Sequence, residues 1–210
     1  MNYSGKYIAI EGIDGVGKTT QIQLLNEWFN SFPIPLFLTR ELSDGLIGKF
    51  SRQILQNDIH LPPRTLALLW ASDTQHNQEK IGGIINHLEQ GEYVLSDRCY
   101  LSAYAYLFPQ CDPEWISQLH RFCLIPDITI FLDLEPEIAL KRLKERNEKL
   151  HMFENYSSLI RIRENYLTLI ESLRSVWKVI EIIRIREDTS IDELQQLLRE
   201  RLNKLVIMTG

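Results

Sequence analysis

The chain is poor in the residues that mark a disulfide scaffold, a metal cluster or a membrane span. It has three cysteines, Cys99, Cys111 and Cys123, an odd number with no Cys-x-x-Cys pair and no histidine at metal-ligand spacing. That composition speaks against a stapled secreted fold or a structural zinc site, and a reduced cytoplasmic chain is expected. No run approaches the roughly 18 to 20 uninterrupted apolar residues that cross a bilayer, and the opening MNYSGKYIAIEG lacks the apolar stretch of a signal peptide. No membrane partner is therefore expected. Charge of one sign is scarce as well. The formal net charge is −5 and the basic residues are scattered, which argues against a nucleic acid partner such as duplex DNA. Internal repeats, low-complexity tracts and linkers are missing, so residues 1–210, 44% of them apolar, are expected to form one domain.

What is present is an alternation of two periods. Short apolar runs at Lys6 to Glu11, Pro35 to Thr39, Tyr93 to Ser96, Asp127 to Leu134 and Lys178 to Ile183 read as strands buried on both faces. Helical stripes separate them. One runs through Ile22, Leu25, Trp28, Phe29 and Phe32, a second through Ile81, Ile84, Ile85 and Leu88. A third holds Ile162, Tyr166, Leu169, Ile170 and Leu173, and the last Ile191, Leu194, Leu198, Leu202 and Leu205. Strands alternating with helices imply right-handed crossovers and a parallel sheet of about five strands covered on both sides, an α/β three-layer sandwich. Ligands of such sheets bind at the carboxyl ends of the strands. The polar run from Lys144 to Ser158 suits a flap as well as a continuous helix.

The segment after the first strand reads GIDGVGKTT. Gly12, Asp14, Gly15, Val16, Gly17, Lys18 and Thr19 fall in a GxxxxGKT phosphate loop, with Thr20 directly after it, in the strand-to-helix context that the motif requires. Its glycines let backbone N–H groups face phosphate oxygens, Lys18 neutralises them, and Thr19 can hold Mg²⁺. ATP is the expected phosphate donor. A second acidic position ends the third strand: Asp97 can complete the Mg²⁺ shell, and Arg98 beside it can grip an anionic phosphate.

Together with the phosphate loop, the segments TRE (Thr39 to Glu41), LLWASDTQH (Leu68 to His76), SDRCYLSAYAY (Ser96 to Tyr106) and PDITIFLDLEPEIALKR (Pro126 to Arg142) resemble the thymidylate kinases in order and spacing. The similarity spans essentially the whole length. It implies a P-loop NTPase sandwich with a short lid that makes dTDP from dTMP and ATP. It also implies that Arg40 and Arg98 bind the acceptor phosphate, with Glu41 in the same segment. Trp70 falls where the family stacks an aromatic ring on thymine, and Tyr106 where an aromatic lies under the deoxyribose. Asp14, whose alternative role is turn chemistry beside Gly15, matches the carboxylate that reaches the acceptor's 3′-hydroxyl. A homodimer through helix faces flanking LLWASDTQH is implied too.

The chain departs from the family at the base and at the lid. Thr74 replaces a common base-binding arginine, and Ala103 replaces a small polar residue near the thymine edge. Gly15 and Met152 stand where the family carries a catalytic arginine, in the loop or in the lid. Arg142 and Arg146 are the remaining cations for the transferred phosphoryl group; a solvated helix face is the competing account of that charged run. Arg52 is a third possible phosphate cation or a solvated helix residue. Two other functions stay open at this point: a deoxynucleoside or other nucleotide kinase, with Glu41 as its base, and a nucleotide-binding paralogue whose catalysis has decayed.

Overall fold

The computed structural model describes residues 3–57, 59–146, 149–173, 177 and 179–206. Lys178 of the last strand run and residues 147 and 148 of the lid lie outside the described residues, as do residues 1, 2 and 207–210 and the Leu205 side chain. The elements follow in the order β1 (Tyr7–Glu11), α1 (Lys18–Phe29), β2 (Leu36–Arg40), α2 (Leu46–Gln56), α3 (Pro63–Glu79), α4 (Ile84–Glu89) and β3 (Tyr93–Asp97). After these come α5 (Leu101–Leu107), α6 (Pro113–Leu119), β4 (Ile128–Asp133), α7 (Pro136–Glu145), α8 (Tyr156–Leu173), β5 (Ile180–Arg184) and α9 (Ile191–Val206).

The five strands form one sheet in the order β2-β3-β1-β4-β5, every pair parallel. Parallel strands need crossovers, and the helices that provide them flank the sheet. The three inner strands are the most apolar: β1 and β4 are buried throughout, and β3 is buried up to Asp97. The expectation that all five are buried on both faces fails at β2 and β5. These are the sheet edges, each partly open to solvent. The sheet order reverses at β1, so the crevice beyond the carboxyl ends of β1 and β3 is the topological switch point.

The helical stripes hold with two exceptions. Ile81 is fully exposed, because Gly82 and Gly83 break the helix and α4 begins only at Ile84. Ile191 is exposed at the first turn of α9, while Leu194, Leu198 and Leu202 are buried. The flap expected over 144–158 is shorter. Helix α7 runs to Glu145 and α8 starts at Tyr156, leaving a non-helical connection whose described part is packed by Phe153 against Tyr106, ring centroids 5.3 Å apart.

Candidate active site

The loop after β1 turns so tightly that it has no room for side chains at two positions. Gly15 has a φ of +86°, and a Cβ there would lie 2.5 Å from the Ala139 carbonyl oxygen. A Cβ on Gly12, at φ +151°, would meet the Leu132 carbonyl at 2.8 Å. The loop position where the resemblance implied an arginine is therefore closed to any residue but glycine here. Gly17, also at positive φ, passes the chain into α1, which starts at Lys18.

Lys18 folds back over its own loop, donating to the carbonyls of Gly12 and Ile13 at 3.1 and 2.9 Å. Burial and the nearby Arg98 guanidinium bring its ammonium down to about 8. An arriving phosphate reverses this, because an adjacent anion favours the charged form. Thr19 Oγ1 donates to Asp97 Oδ2 at 3.1 Å, and Asp97 Oδ1 is buried with no hydrogen-bond partner among the described residues. A hydroxyl, a carboxylate and an orphaned carboxylate oxygen form a hard-oxygen donor set. Magnesium takes few ligands from protein and fills its shell with water and phosphate oxygens, so these residues fit Mg²⁺.

Asp97 ends β3 and Arg98 follows it; the strand's register sets Asp97 beside Ile10 on one side and Arg40 on the other. Arg98 has a φ of +74°, unusual for a side chain with a Cβ. The twist is held from both sides: its backbone N–H donates to Ile10 O at 2.9 Å, and its carbonyl accepts from Ser96 Oγ at 2.5 Å. It turns the guanidinium inward. Nη2 donates to Asp14 Oδ1 at 2.5 Å and to the Tyr106 hydroxyl at 2.8 Å; Nη1 donates to Gly12 O at 2.9 Å and to the Tyr166 hydroxyl at 3.1 Å. The Tyr106 hydroxyl in turn donates to Asp14 Oδ2 at 2.8 Å. Burial alone would raise the Asp14 carboxyl, but Arg98 and Lys18 beside it hold it at about 2.

Beneath this cluster lies a residue that patterning missed. Glu11 ends β1 with no solvent exposure, accepting from Cys99 N at 2.9 Å, Ser102 Oγ at 2.9 Å and the Tyr166 hydroxyl at 2.8 Å. The only trace in the sequence is a carboxylate closing an apolar strand; its partners lie on α5 and α8, far along the chain.

One cleft of about 290 Å³ joins these groups to the rest of the expected acceptor site. Arg40, exposed at the end of β2, lines it, as do Glu41, Trp70 and Tyr106. Trp70 is 3% exposed, and its indole N–H donates to Glu41 Oε2 at 3.0 Å. Burial pushes the Glu41 carboxyl up to about 8, outweighing the indole hydrogen bond that lowers it. A folded value above the ordinary 4.5 means stability that is complete below about pH 4.5 and lost as pH rises through about 8. Between about pH 6 and about pH 9 the melting temperature of the wild type should therefore fall by several degrees more than that of Glu41→Gln. Parallel melting curves for the two proteins would remove the assignment.

The two base-reading departures do not reach the cleft. Thr74 is buried and donates to the Trp70 carbonyl one turn back at 3.1 Å, and Ala103 has no exposure within the core. Neither lines the space where the other acceptor residues meet. Arg52 does, but its guanidinium is committed to the carbonyls of Leu42 and Ser43 and to Asp44. Of the two helix cations, Arg146 lines the cleft and Arg142 does not. The connection before α8 adds His151, Phe153 and Glu154, which the sequence pattern had not singled out.

Comparison with known proteins gives the family. The thymidylate kinase family model matches residues 10–193. A probable thymidylate kinase of Thermococcus kodakarensis is 34% identical over 191 residues, 87% of this chain and 90% of the relative. One of Methanosphaera stadtmanae is 36% identical over 82% of this chain and 88% of its own length. The thymidylate kinase of Carboxydothermus hydrogenoformans is 37% identical, covering 81% of this chain and 86% of that protein. A phosphate loop facing an Asp–Arg strand end across one cleft, with a family match along most of the sequence, places this chain in the thymidylate kinase family.

Proposed function

We propose that the protein transfers the γ-phosphoryl group of ATP to dTMP, giving ADP and dTDP. One observation carries the reading: the phosphate loop and a second set of cations, Arg40 and Arg98, open into the same cleft. A monophosphate acceptor is already a nucleophilic anion, so the reaction needs no general base. It needs two anions held in line and their spreading charge screened.

Backbone N–H groups of Gly15 to Lys18 and the Lys18 ammonium hold the ATP phosphates. Thr19 and Asp97 would hold Mg²⁺, which would supply positive charge to screen the phosphate oxygens as charge develops on them. Arg40 and Arg98 hold the acceptor phosphate, and Asp14, fixed by Arg98 and Tyr106, accepts from the deoxyribose 3′-hydroxyl. Trp70 supplies the ring on which the base stacks, with Glu41 fixing its indole. Arg146 supplies the cation that Gly15 and Met152 do not. Since Arg146 lines the cleft and Arg142 stands outside it, Arg146→Ala should lower kcat about 100-fold and Arg142→Ala less than about tenfold. Equal losses in steady-state assays would contradict that division.

A homodimer is supported by an apolar patch near LLWASDTQH: Leu46 and Phe50 on α2, Leu68 on α3 and Phe122 after α6 are all at least half exposed. No helix among the described residues is long and apolar enough to cross a membrane. A cytoplasmic enzyme with nucleotides as its partners is the reading that membership of a nucleotide kinase family supports. The test is direct. Purified protein, Mg²⁺ and ATP are incubated with a panel of nucleosides and monophosphates, and ADP and diphosphate products are followed. The expected product is dTDP. Turnover of a nucleoside but of no monophosphate, or ATP binding without turnover of any acceptor, would overturn the reading.

A further inference from the structure

With Thr74 and Ala103 both turned away from the cleft, the acceptor base needs another polar partner. We infer that Gln56, the last residue of α2, reads the hydrogen-bonding edge of that base; the inference rests on the monophosphate kinase reading above. Helix α2 packs along α3 and brings Gln56 into the cleft that Trp70 lines from α3. The neighbouring lining residues Leu42 and Leu55 are apolar, as is the Trp70 ring, and together they make the slot where a flat base fits rather than a phosphate.

Within that slot the polar groups are accounted for. The Glu41 carboxyl holds the Trp70 indole, and the Arg52 guanidinium holds the loop at Leu42 to Asp44. Gln56 is exposed, its side chain makes no hydrogen bond with the described residues, and it is the one carboxamide among the described residues that line the cleft. A carboxamide carries a donor and an acceptor side by side. The thymine edge presents an N3–H donor next to the O4 acceptor, so the two match in a bidentate pair. Cytosine presents the reverse, an N3 acceptor and an N4 amino donor. The amide meets that edge by turning over. Gln56 therefore recognises a pyrimidine edge without strongly separating thymine from cytosine, unlike a fixed arginine.

Two variants at this exposed helix end test the inference without disturbing the core. Gln56→Leu should raise KM for dTMP about tenfold with little change in kcat or in KM for ATP, as expected when one uncharged recognition group is lost. Gln56→Glu carries acceptors only, so it meets the one donor of either edge, thymine N3–H or the cytosine amino group, and repels the acceptor beside it. Its KM should rise about tenfold for dTMP and dCMP alike, leaving the ratio of their kcat/KM values near that of the wild type. KM for dTMP within about twofold of wild type in both variants would overturn the role of Gln56. Failure of the underlying function is distinguishable, because the wild type would then turn over neither pyrimidine monophosphate. In that case calorimetric titration of dTMP into the three proteins decides the Gln56 assignment: tenfold weaker binding to Gln56→Leu sustains it, and equal or undetectable binding throughout overturns it.

Discussion

Arg98→Met should lower kcat/KM for dTMP by about a thousandfold or more while leaving a folded protein of reduced stability. Two consequences of one substitution combine here. The guanidinium is the proposed grip on the acceptor phosphate, and a charge-assisted contact of this kind is among the stronger polar interactions available. It is also the group that holds Asp14 and Tyr106 in place, and it pairs with Asp14 at 2.5 Å. Without it the Asp14 carboxyl loses the larger of the two cations that hold it near 2, and burial drives it upward. The expected thermal shift is a loss of several degrees. Arg98→Lys discriminates between the roles. A lysine keeps the charge but cannot span Asp14, Tyr106, Gly12 and Tyr166 together, so stability should recover in part and catalysis little. A kcat/KM within tenfold of wild type in Arg98→Met would remove Arg98 from the acceptor site.

Glu11→Ala is expected to have the largest effect on stability. The carboxylate has no solvent exposure and accepts from Cys99 N, Ser102 Oγ and the Tyr166 hydroxyl, with Arg98 Nη1 3.9 Å away. Truncation strands these three donors and the Cys99 thiol, which donates to Glu11 Oε1 at 3.3 Å, and leaves a small void. Removing one member of such a buried ionic network costs about 3 to 5 kcal/mol. For a chain of this size that corresponds to a fall in melting temperature of roughly 10 °C. Activity should fall as well, by about a hundredfold, because the twisted backbone at Arg98 is fixed in part through Cys99 N. Glu11 touches no substrate in this account and acts by positioning, so the rate loss should appear in kcat/KM for dTMP with little change in KM for ATP. A melting temperature within about 2 °C of wild type would show that the network is dispensable.

The two variants also separate what was readable in the chain from what was not. The GxxxxGKT loop, the strand-end Asp97–Arg98 pair, the TRE segment and the alternation of buried strands with amphipathic stripes depend on local spacing. Local spacing sets which backbone amides converge, which face of a helix is apolar and where a strand ends, so the layered fold and many of the residues that gather at the cleft were legible in order. The same local patterns could not say that β2 and β5 are edges, since an edge strand and an inner one differ in what lies beside them rather than in period. Nor could they place Ile81, where two glycines end the stripe before the helix begins.

The sequence by itself determined the identities: a loop whose pattern suits phosphate, a carboxylate and an arginine at a strand end, a family match in motif order, and the absence of a side chain at Gly15. Tertiary structure alone decided which of these groups meet. It turned Thr74 and Ala103 into the core, put Arg146 in the cleft and Arg142 outside it, committed Arg52 to backbone carbonyls, and left Gln56 lining the cleft with a carboxamide that pairs with none of the described residues. It also joined Glu11, Arg98, Tyr106 and Tyr166 from four elements into one hydrogen-bonded knot. The reason is physical. A side chain's direction and its hydrogen-bond partners are set by packing between elements distant in sequence, and periodicity carries no record of those distances.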